Sequence, residues 1–397
     1  MSRVFSILTT IVLILEGAIV AIGQESGDIR ELKLKDWQPQ SMMITRVTQV
    51  NYAKYPVIDV HNHLGDGRGV DRYLCEMDAA GVYCVVNLDG GTTPERVKEV
   101  IGRLEGAHPG RFLTFALVDF RGLDEPGWGE RAARQLEECF LAGAKGLKIH
   151  KNLGLGIRHK DGRLLEVDDP VLDPVWETCA KHGRPVVIHS ADPAAFFTPL
   201  DAKNERWHEL NANPGWLFYG ERWPSRNAIL EARNRMIARH PKTTFICAHL
   251  ANNPEDLETV GRWLDAYPNM VCDIDARISE LGRQPYTARR FFIKYQDRVM
   301  FGTDTTPVDR EAYRIYYRFL ETEDEYFDCR KSHHLQGFWM IYGVNLPDKV
   351  LRKIYYQNAL KYLYGLAEYK RELERFQASP AVQRVVVGRT APVVPEK

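Results

Sequence analysis

Val57-Ile58-Asp59-Val60-His61-Asn62-His63-Leu64 is a short apolar run, too short for a helix, that ends in two histidines. Side chains alternate along a strand, so Asp59, His61 and His63 share one face. An open doubly wound sheet would follow its first strand with a glycine-rich phosphate turn, whereas this strand runs into histidines. Outward from it, seven more short apolar runs are bounded by Gly, Pro, Asn or Asp: 82–88, 112–118, 146–150, 185–189, 244–249, 270–275 and 299–304. Helical patterns lie between them, as at 94–104, 130–141, 173–182, 226–239 and 255–266. Eight strand–helix units predict an α/β fold, a (β/α)8 TIM barrel over residues 55–366.

The spacing is uneven. The longest gap, between the fifth and sixth strands, holds residues 194–223 with Trp207, Trp216, Phe218, Tyr219 and Trp223. An insertion after a strand's C-terminal end sits over the barrel mouth. A smaller insertion after the fourth strand carries Asp161-Gly162, a hairpin turn signal between 157–159 and 163–167. Both are expected to wall a pocket.

Beyond the barrel, residues 1–23 read as a signal peptide: Arg3, an apolar run and small residues Ala21 and Gly23 before Gln24. This predicts an exported protein, periplasmic or secreted, without stable membrane association after cleavage; an uncleaved N-terminal anchor is the alternative. Residues 24–54 form a lead, and 367–397 a polar helix and flexible tail, the C-terminal helical extension. The 53 basic and 53 acidic residues balance to zero net charge, which excludes an electrostatic nucleic-acid binder. Seven cysteines without a Cys-x-x-Cys pair give no disulfide framework and no zinc knuckle. There is no Gly-x-Ser-x-Gly elbow and no dinucleotide fingerprint. Nothing in the chain opposes a homo-oligomer.

The other strand ends give the first one its meaning. The fifth ends in Val187-Ile188-His189, the sixth in Cys247-Ala248-His249 and the eighth in Phe301-Gly302-Thr303-Asp304. Apolar strands thus end in His or Asp four times at the edge where barrel enzymes place their chemistry. One such histidine is ordinarily structural; four ends converging on one axis predict a metal site.

These motifs resemble the amidohydrolase superfamily. The stretch Leu346-Pro347, Ile354-Tyr355 and Asn358-Ala359-Leu360 is similar to its amidohydrolase-related branch, which includes lactone hydrolases and decarboxylases such as aminocarboxymuconate semialdehyde decarboxylase. The resemblance implies His61, His63, His189 and Asp304 as ligands of one divalent metal, Zn²⁺ first, with Mn²⁺ or Fe²⁺ as alternatives. It implies Asp304 as the proton acceptor and His249 as a catalytic group beside the reacting atoms. On the fourth strand, Lys148 is either a substrate-facing cation or, when carboxylated, a bridge to a second metal; one metal is the expectation. His150 is either a rim contact or packing.

Asp273, Asp275 and Arg277 share one face of the seventh strand, with Arg277 at the mouth. Arg277 and Lys148 are the substrate candidates, and a basic rim that includes Lys151, Arg158, Arg283, Arg289 and Arg290 would suit an acidic substrate. The expected function is a metal-dependent hydrolase of a small acidic lactone, ester or amide, through a metal-activated water. The alternative on the same site is a non-oxidative decarboxylase (carboxy-lyase).

Overall fold

The structure, a computed structural model, describes residues 29–33, 39–106, 108–330 and 336–364, with single positions 371, 374 and 378 beyond. The predicted signal peptide and most of the tail lie outside these residues. The chain divides into two units, Met1–Ile44 and Thr45–Lys397. Described residues of the first include a 3-10 turn, Ile29–Glu31, and the exposed Met42 and Ile44. The second takes in the end of the expected lead: Thr48 N and Oγ1 each donate to Asp324 at 2.7 Å.

All eight predicted strand regions form parallel strands. They are β1 (Val57–Asn62), β2 (Val82–Asn87), β3 (Phe112–Thr114), β4 (Ala116–Leu117), β5 (Leu147–Ile149), β6 (Val186–Ile188), β7 (Phe245–Cys247), β8 (Met270–Asp273) and β9 (Val299–Met300). The third predicted strand is split in two at Phe115. Its β3 end pairs with β2 and its β4 end with β5, so one extended segment joins a three-stranded and a six-stranded sheet. Two backbone bonds carry β9 back to β1, Val60 N to Phe301 O (3.0 Å) and Asp304 N to His61 O (2.9 Å), and the ring closes as a barrel.

Helices follow the strands, among them α1 (Val70–Ala80), α2 (Pro94–Ile101), α3 (Trp128–Leu141), α4 (Asp173–Lys181), α5 (Trp207–Ala212), α6 (Arg226–Arg239), α7 (Leu257–Ala266), α8 (Ile278–Gly282), α9 (Pro285–Lys294) and α10 (Arg310–Glu321). Their starts are legible locally. Thr93 caps α2 by accepting from Arg96 N, and Ser225 caps α6 by accepting from Ala228 N. The side of α10 carrying Tyr313, Tyr316 and Tyr317 packs around Phe301, with ring centroids 5.6–6.2 Å apart. This face also supports the site, because Tyr313 OH donates to Asp59 Oδ2 and Tyr316 OH accepts from Ala276 N, each at 2.8 Å.

Ile149, Ile188, Cys247 and Cys272 lie level across β5 to β8. The residues that follow them therefore emerge together at one rim. All seven cysteines are free; six are buried, in keeping with small apolar packing residues rather than a framework.

Candidate metal centre

Asp59 is the anchor of the first strand. Its buried carboxylate accepts from His61 N (3.0 Å), Asn62 Nδ2 (2.7 Å), Thr303 Oγ1 (2.6 Å) and Tyr313 OH (2.8 Å). It thus ties the histidine strand to the Gly-Thr-Asp strand. Burial raises its pKa to about 6, although the Thr303 and His61 hydrogen bonds oppose the shift. Gly302 lets the strands approach: a Cβ there would stand 3.2 Å from the Cβ atoms of both His61 and Asp275.

The histidines form one cluster. Ring centroids are 5.6 Å apart for His61 and His63, 5.2 Å for His61 and His249, and 4.1 Å for His189 and His249. Asp275 Oδ2 lies 2.9 Å from Nδ1 of both His61 and His249, while Asp273 Oδ1 and Asp275 Oδ1 each accept from His249 N at 2.8 Å. Asp192 Oδ1 stands 3.2 Å from His189 Nε2, and Asp89 Oδ1 stands 2.8 Å from His63 Nδ1. Each imidazole thus has a carboxylate that fixes its orientation. Asp275 was visible in the sequence only as a companion of Arg277 on one strand face. Asp192 and Asp89 carried no motif at all; each lies just past a strand end.

The electrostatics divide the rings. Burial, reinforced by its neighbour His249, keeps His189 well below the usual histidine range. Burial likewise lowers His249 against the pull of Asp275, and brings His150 to about 3 with help from Lys148 and His63. All three favour the neutral form, which is the metal-binding form. For His61, burial is outweighed by the Asp275 and Asp273 carboxylates, and its pKa rises to about 10. Those carboxylates call for positive charge at this position.

A divalent ion fits that demand. One ligand atom from each of His61, His249, Asp275 and Asp304 lies within 4.8 Å of the others, close to the span of donors around a single ion. Asp275 Oδ2 is buried without a well-directed hydrogen bond despite its two imidazole neighbours. The set expected from the sequence shares His61 and Asp304 with this tight group. His63 and His189 border it: His63 Nε2 is 3.7 Å from Asp304 Oδ1, and His189 Nδ1 is 3.1 Å from His249 Nε2.

The cavity above the cluster is small, about 120 Å³, and is lined by His189, His249 and Asp304 among others. The aromatic insertion does wall it, through Phe196, Arg206, Glu209 and Trp216. The hairpin insertion, bridged at Arg158 and Leu164, lines a separate cleft with Trp223 and Arg235 instead. Arg277 lines the cavity as expected. Lys148 is fully buried, with Nζ 2.9 Å from His61 Nε2, and the lysine of this strand end that lines the cavity is Lys151. His150 stacks on His63 at 5.5 Å.

The expected basic rim is not built. Arg283 pairs with Glu205 at 2.9 Å, Arg289 donates to the Val344 carbonyl at 2.7 Å, and Arg290 donates to Thr287 Oγ1 at 3.2 Å. Around the cavity, Lys151, Arg206 and Arg277 are matched by Asp192, Glu209 and Asp304. The side chains alone are balanced, so an added divalent ion would make the cavity positive.

The exits of β6 to β9 have strained backbone. Ala191, His249, Ala276 and Asp304 all have positive φ, between 50° and 68°. After β7 the strain continues through Leu250, Ala251 and Asn252, a left-handed turn closed by Asn252 N donating to Ala248 O at 3.1 Å. It turns His249 back toward His189.

A family model described as amidohydrolase matches residues 58–366. No curated protein matches the sequence significantly. Among solved structures, a 2,6-dihydroxybenzoate decarboxylase from Rhizobium is similar at 16% identity, over 78% of this chain and 99% of that one, with a TM-score of 0.51. A dihydroxybenzoic acid decarboxylase from Polaromonas sp. JS666, solved with bound manganese and the inhibitor 2-nitroresorcinol, gives 16% identity, 78% and 97% coverage and a TM-score of 0.51. Both share the barrel fold. With the family model spanning the barrel from its first strand to its last helix, this chain belongs to the amidohydrolase family.

Proposed function

We propose that the protein is a metal-dependent hydrolase of a small acidic lactone, ester or amide. The observation that carries this reading is the position of Asp304. It lines the cavity and also stands 3.7 Å from His63 Nε2, so one carboxylate reaches both substrate space and the imidazole cluster. His61, His63, His189 and Asp304 would hold one divalent ion, Zn²⁺ first by donor chemistry, with Mn²⁺ or Fe²⁺ as alternatives. Asp275 is assigned to orientation, because it meets the Nδ1 atoms of His61 and His249; their Nε2 atoms stand 2.9 Å from Lys148 Nζ and 3.1 Å from His189 Nδ1. When bound, the ion supplies Lewis acidity to a carbonyl and acidifies water.

The chain's own groups do the rest. Asp304 accepts the proton of the attacking water and returns it to the leaving group. His249 lines the cavity with Nδ1 against Asp275, and it polarises the substrate oxygen as charge develops there through its doubly protonated form, which the Asp275 carboxylate supports against burial. Arg277 holds the substrate acid. Its Nη1 donates to Ala276 O at 2.7 Å, Nη2 is 4.0 Å from Asp192, and Nε has no hydrogen-bond partner. The 120 Å³ cavity admits a small substrate.

A carboxy-lyase reading uses the same residues. It is favoured by the placement of Arg277 in one small cavity with His249 and Asp304, which brings a bound carboxylate beside the proton-transfer groups. Turnover in isotopically labelled water decides between them. Oxygen from the labelled water in the organic product supports hydrolysis; CO₂ released without oxygen label in the organic product supports decarboxylation. No helix among the described residues is long and apolar enough to cross a membrane. Export is proposed from the sequence of residues 1–23, and a mature N-terminus at Gln24 is the expected observation.

A further inference from the structure

The exit of β2 carries two polar side chains that the proposed chemistry does not use. Asn87 Oδ1 accepts from Leu64 N at 2.9 Å and from Asp89 N at 3.2 Å, and Asn87 Nδ2 donates to Gly65 O at 3.3 Å. Asp89 Oδ2 accepts from Gly65 N at 3.0 Å, while its Oδ1 stands 2.8 Å from His63 Nδ1. The end of the histidine strand is thereby braced along its length by the end of its neighbour.

His63 is fixed twice. Asp89 holds the edge of the ring, and His150 covers its face, stacked at 5.5 Å with 28° between the planes. A neutral imidazole that donates from Nδ1 presents its lone pair at Nε2. That atom is 3.7 Å from Asp304 Oδ1. Two donors each about 2.1 Å from a common tetrahedral ion stand about 3.5 Å apart, so the pair is set almost at coordination distance.

We infer that Asp89 is a positioning residue for the metal: it selects the Nδ1–H tautomer of His63 and aims Nε2 at the ion shared with Asp304. This rests on the reading above that His63 and Asp304 are ligands. Loss of such a partner frees the ring to turn, lowers its basicity and weakens metal binding by roughly 10–100-fold.

The test is a titration of metal-free protein with Zn²⁺ or Mn²⁺ in competition with a chromophoric chelator. It compares wild type, Asp89→Ala, Asp89→Asn, His63→Ala and the double variant His63→Ala/Asp89→Ala. Asp89→Ala is expected to bind roughly 10–100-fold more weakly. Asp89→Asn keeps an acceptor oxygen without the charge and is expected to lose less; it carries the comparison if the alanine variant fails to fold. In the His63→Ala background, Asp89→Ala should cause no further loss. Affinity within twofold of wild type for both Asp89 variants overturns the inference, and so does an equal loss in both backgrounds. A wild-type protein that takes up no ion overturns the metal reading itself, and this inference with it.

Discussion

At the exits of β1 and β2 the chain turns on Gly65 and Gly91, with φ of 56° and 98°; at the exits of β6 to β9 it turns on Ala191, His249, Ala276 and Asp304 in the same left-handed region. Glycine adopts that backbone at no steric cost, whereas other residues meet about 1–2 kcal/mol each. The first half of the barrel therefore holds its site residues with relaxed backbone and polar bracing from Asn87 and Asp89. The second half holds His189, His249 and Asp304 with strained backbone, offset by a buried network around Asp275. Strain kept at a rim of this kind fits a site whose side-chain directions matter more than local stability.

The largest effect is expected at Asp304. Asparagine tolerates positive φ, so Asp304→Asn should keep the strained exit and the fold while turnover falls by about 10²–10⁴-fold. Rates measured beside thermal unfolding check this, and retained activity would remove Asp304 from the proton-transfer role. Asp275→Ala comes next. It removes the carboxylate that faces His61 Nδ1 and His249 Nδ1 and one of the two acceptors of His249 N, and should destabilise by about 3–5 kcal/mol. Asp89→Ala, on the partly exposed side, should cost about 1 kcal/mol in the metal-free protein. Equal costs in denaturant unfolding would abolish the contrast between the halves.

Glu105 makes the first half pH-sensitive for a different reason. Burial raises its pKa to about 7 against the opposing Thr114 and Lys145. The folded state binds this proton more tightly than the unfolded chain does. Stability should therefore fall as pH rises from about 4.5 to about 7 and stay lower above that, by about 3 kcal/mol. Glu105→Gln should remove this slope in unfolding measured across the window; an unchanged slope would show that Glu105 is not its source. The smallest effects test the backbone contrast directly. Ala276→Gly and Ala191→Gly should each stabilise by about 0.5–1 kcal/mol, net of the greater freedom of the unfolded chain. Gly65→Ala, at φ 56° with nothing within 4 Å of the new Cβ, should destabilise by about 1 kcal/mol through the backbone alone.

The same contrast explains what could be read in the sequence. Strand alternation placed His61 and His63 on one face, and short apolar runs ending in His189, His249 and Asp304 located the rim, because both signals are local. The split of the third strand at Phe115 was illegible, since its two ends pair with different sheets. The basic rim was overdrawn: Arg283 and Arg289 look like mouth residues by position, but their partners, Glu205 and the Val344 carbonyl, are remote in sequence. The carboxylates that orient the histidines were missed for a similar reason. Asp89 and Asp192 lie past strand ends where acidic residues are common, and only the fold brings Asp89 to a ring 26 residues away. The left-handed exits gave no signal, because alanine, histidine and aspartate do not announce positive φ as glycine does.

The proposed chemistry needs a single divalent ion at the strand ends. Metal analysis of the purified protein, after loading with Zn²⁺ or Mn²⁺ and removal of excess, should give about one equivalent per chain, with a marked loss in the Asp304→Asn and His61→Ala variants. A well-folded, metal-supplemented protein that retains no ion, or one whose ion is indifferent to both substitutions, would contradict it.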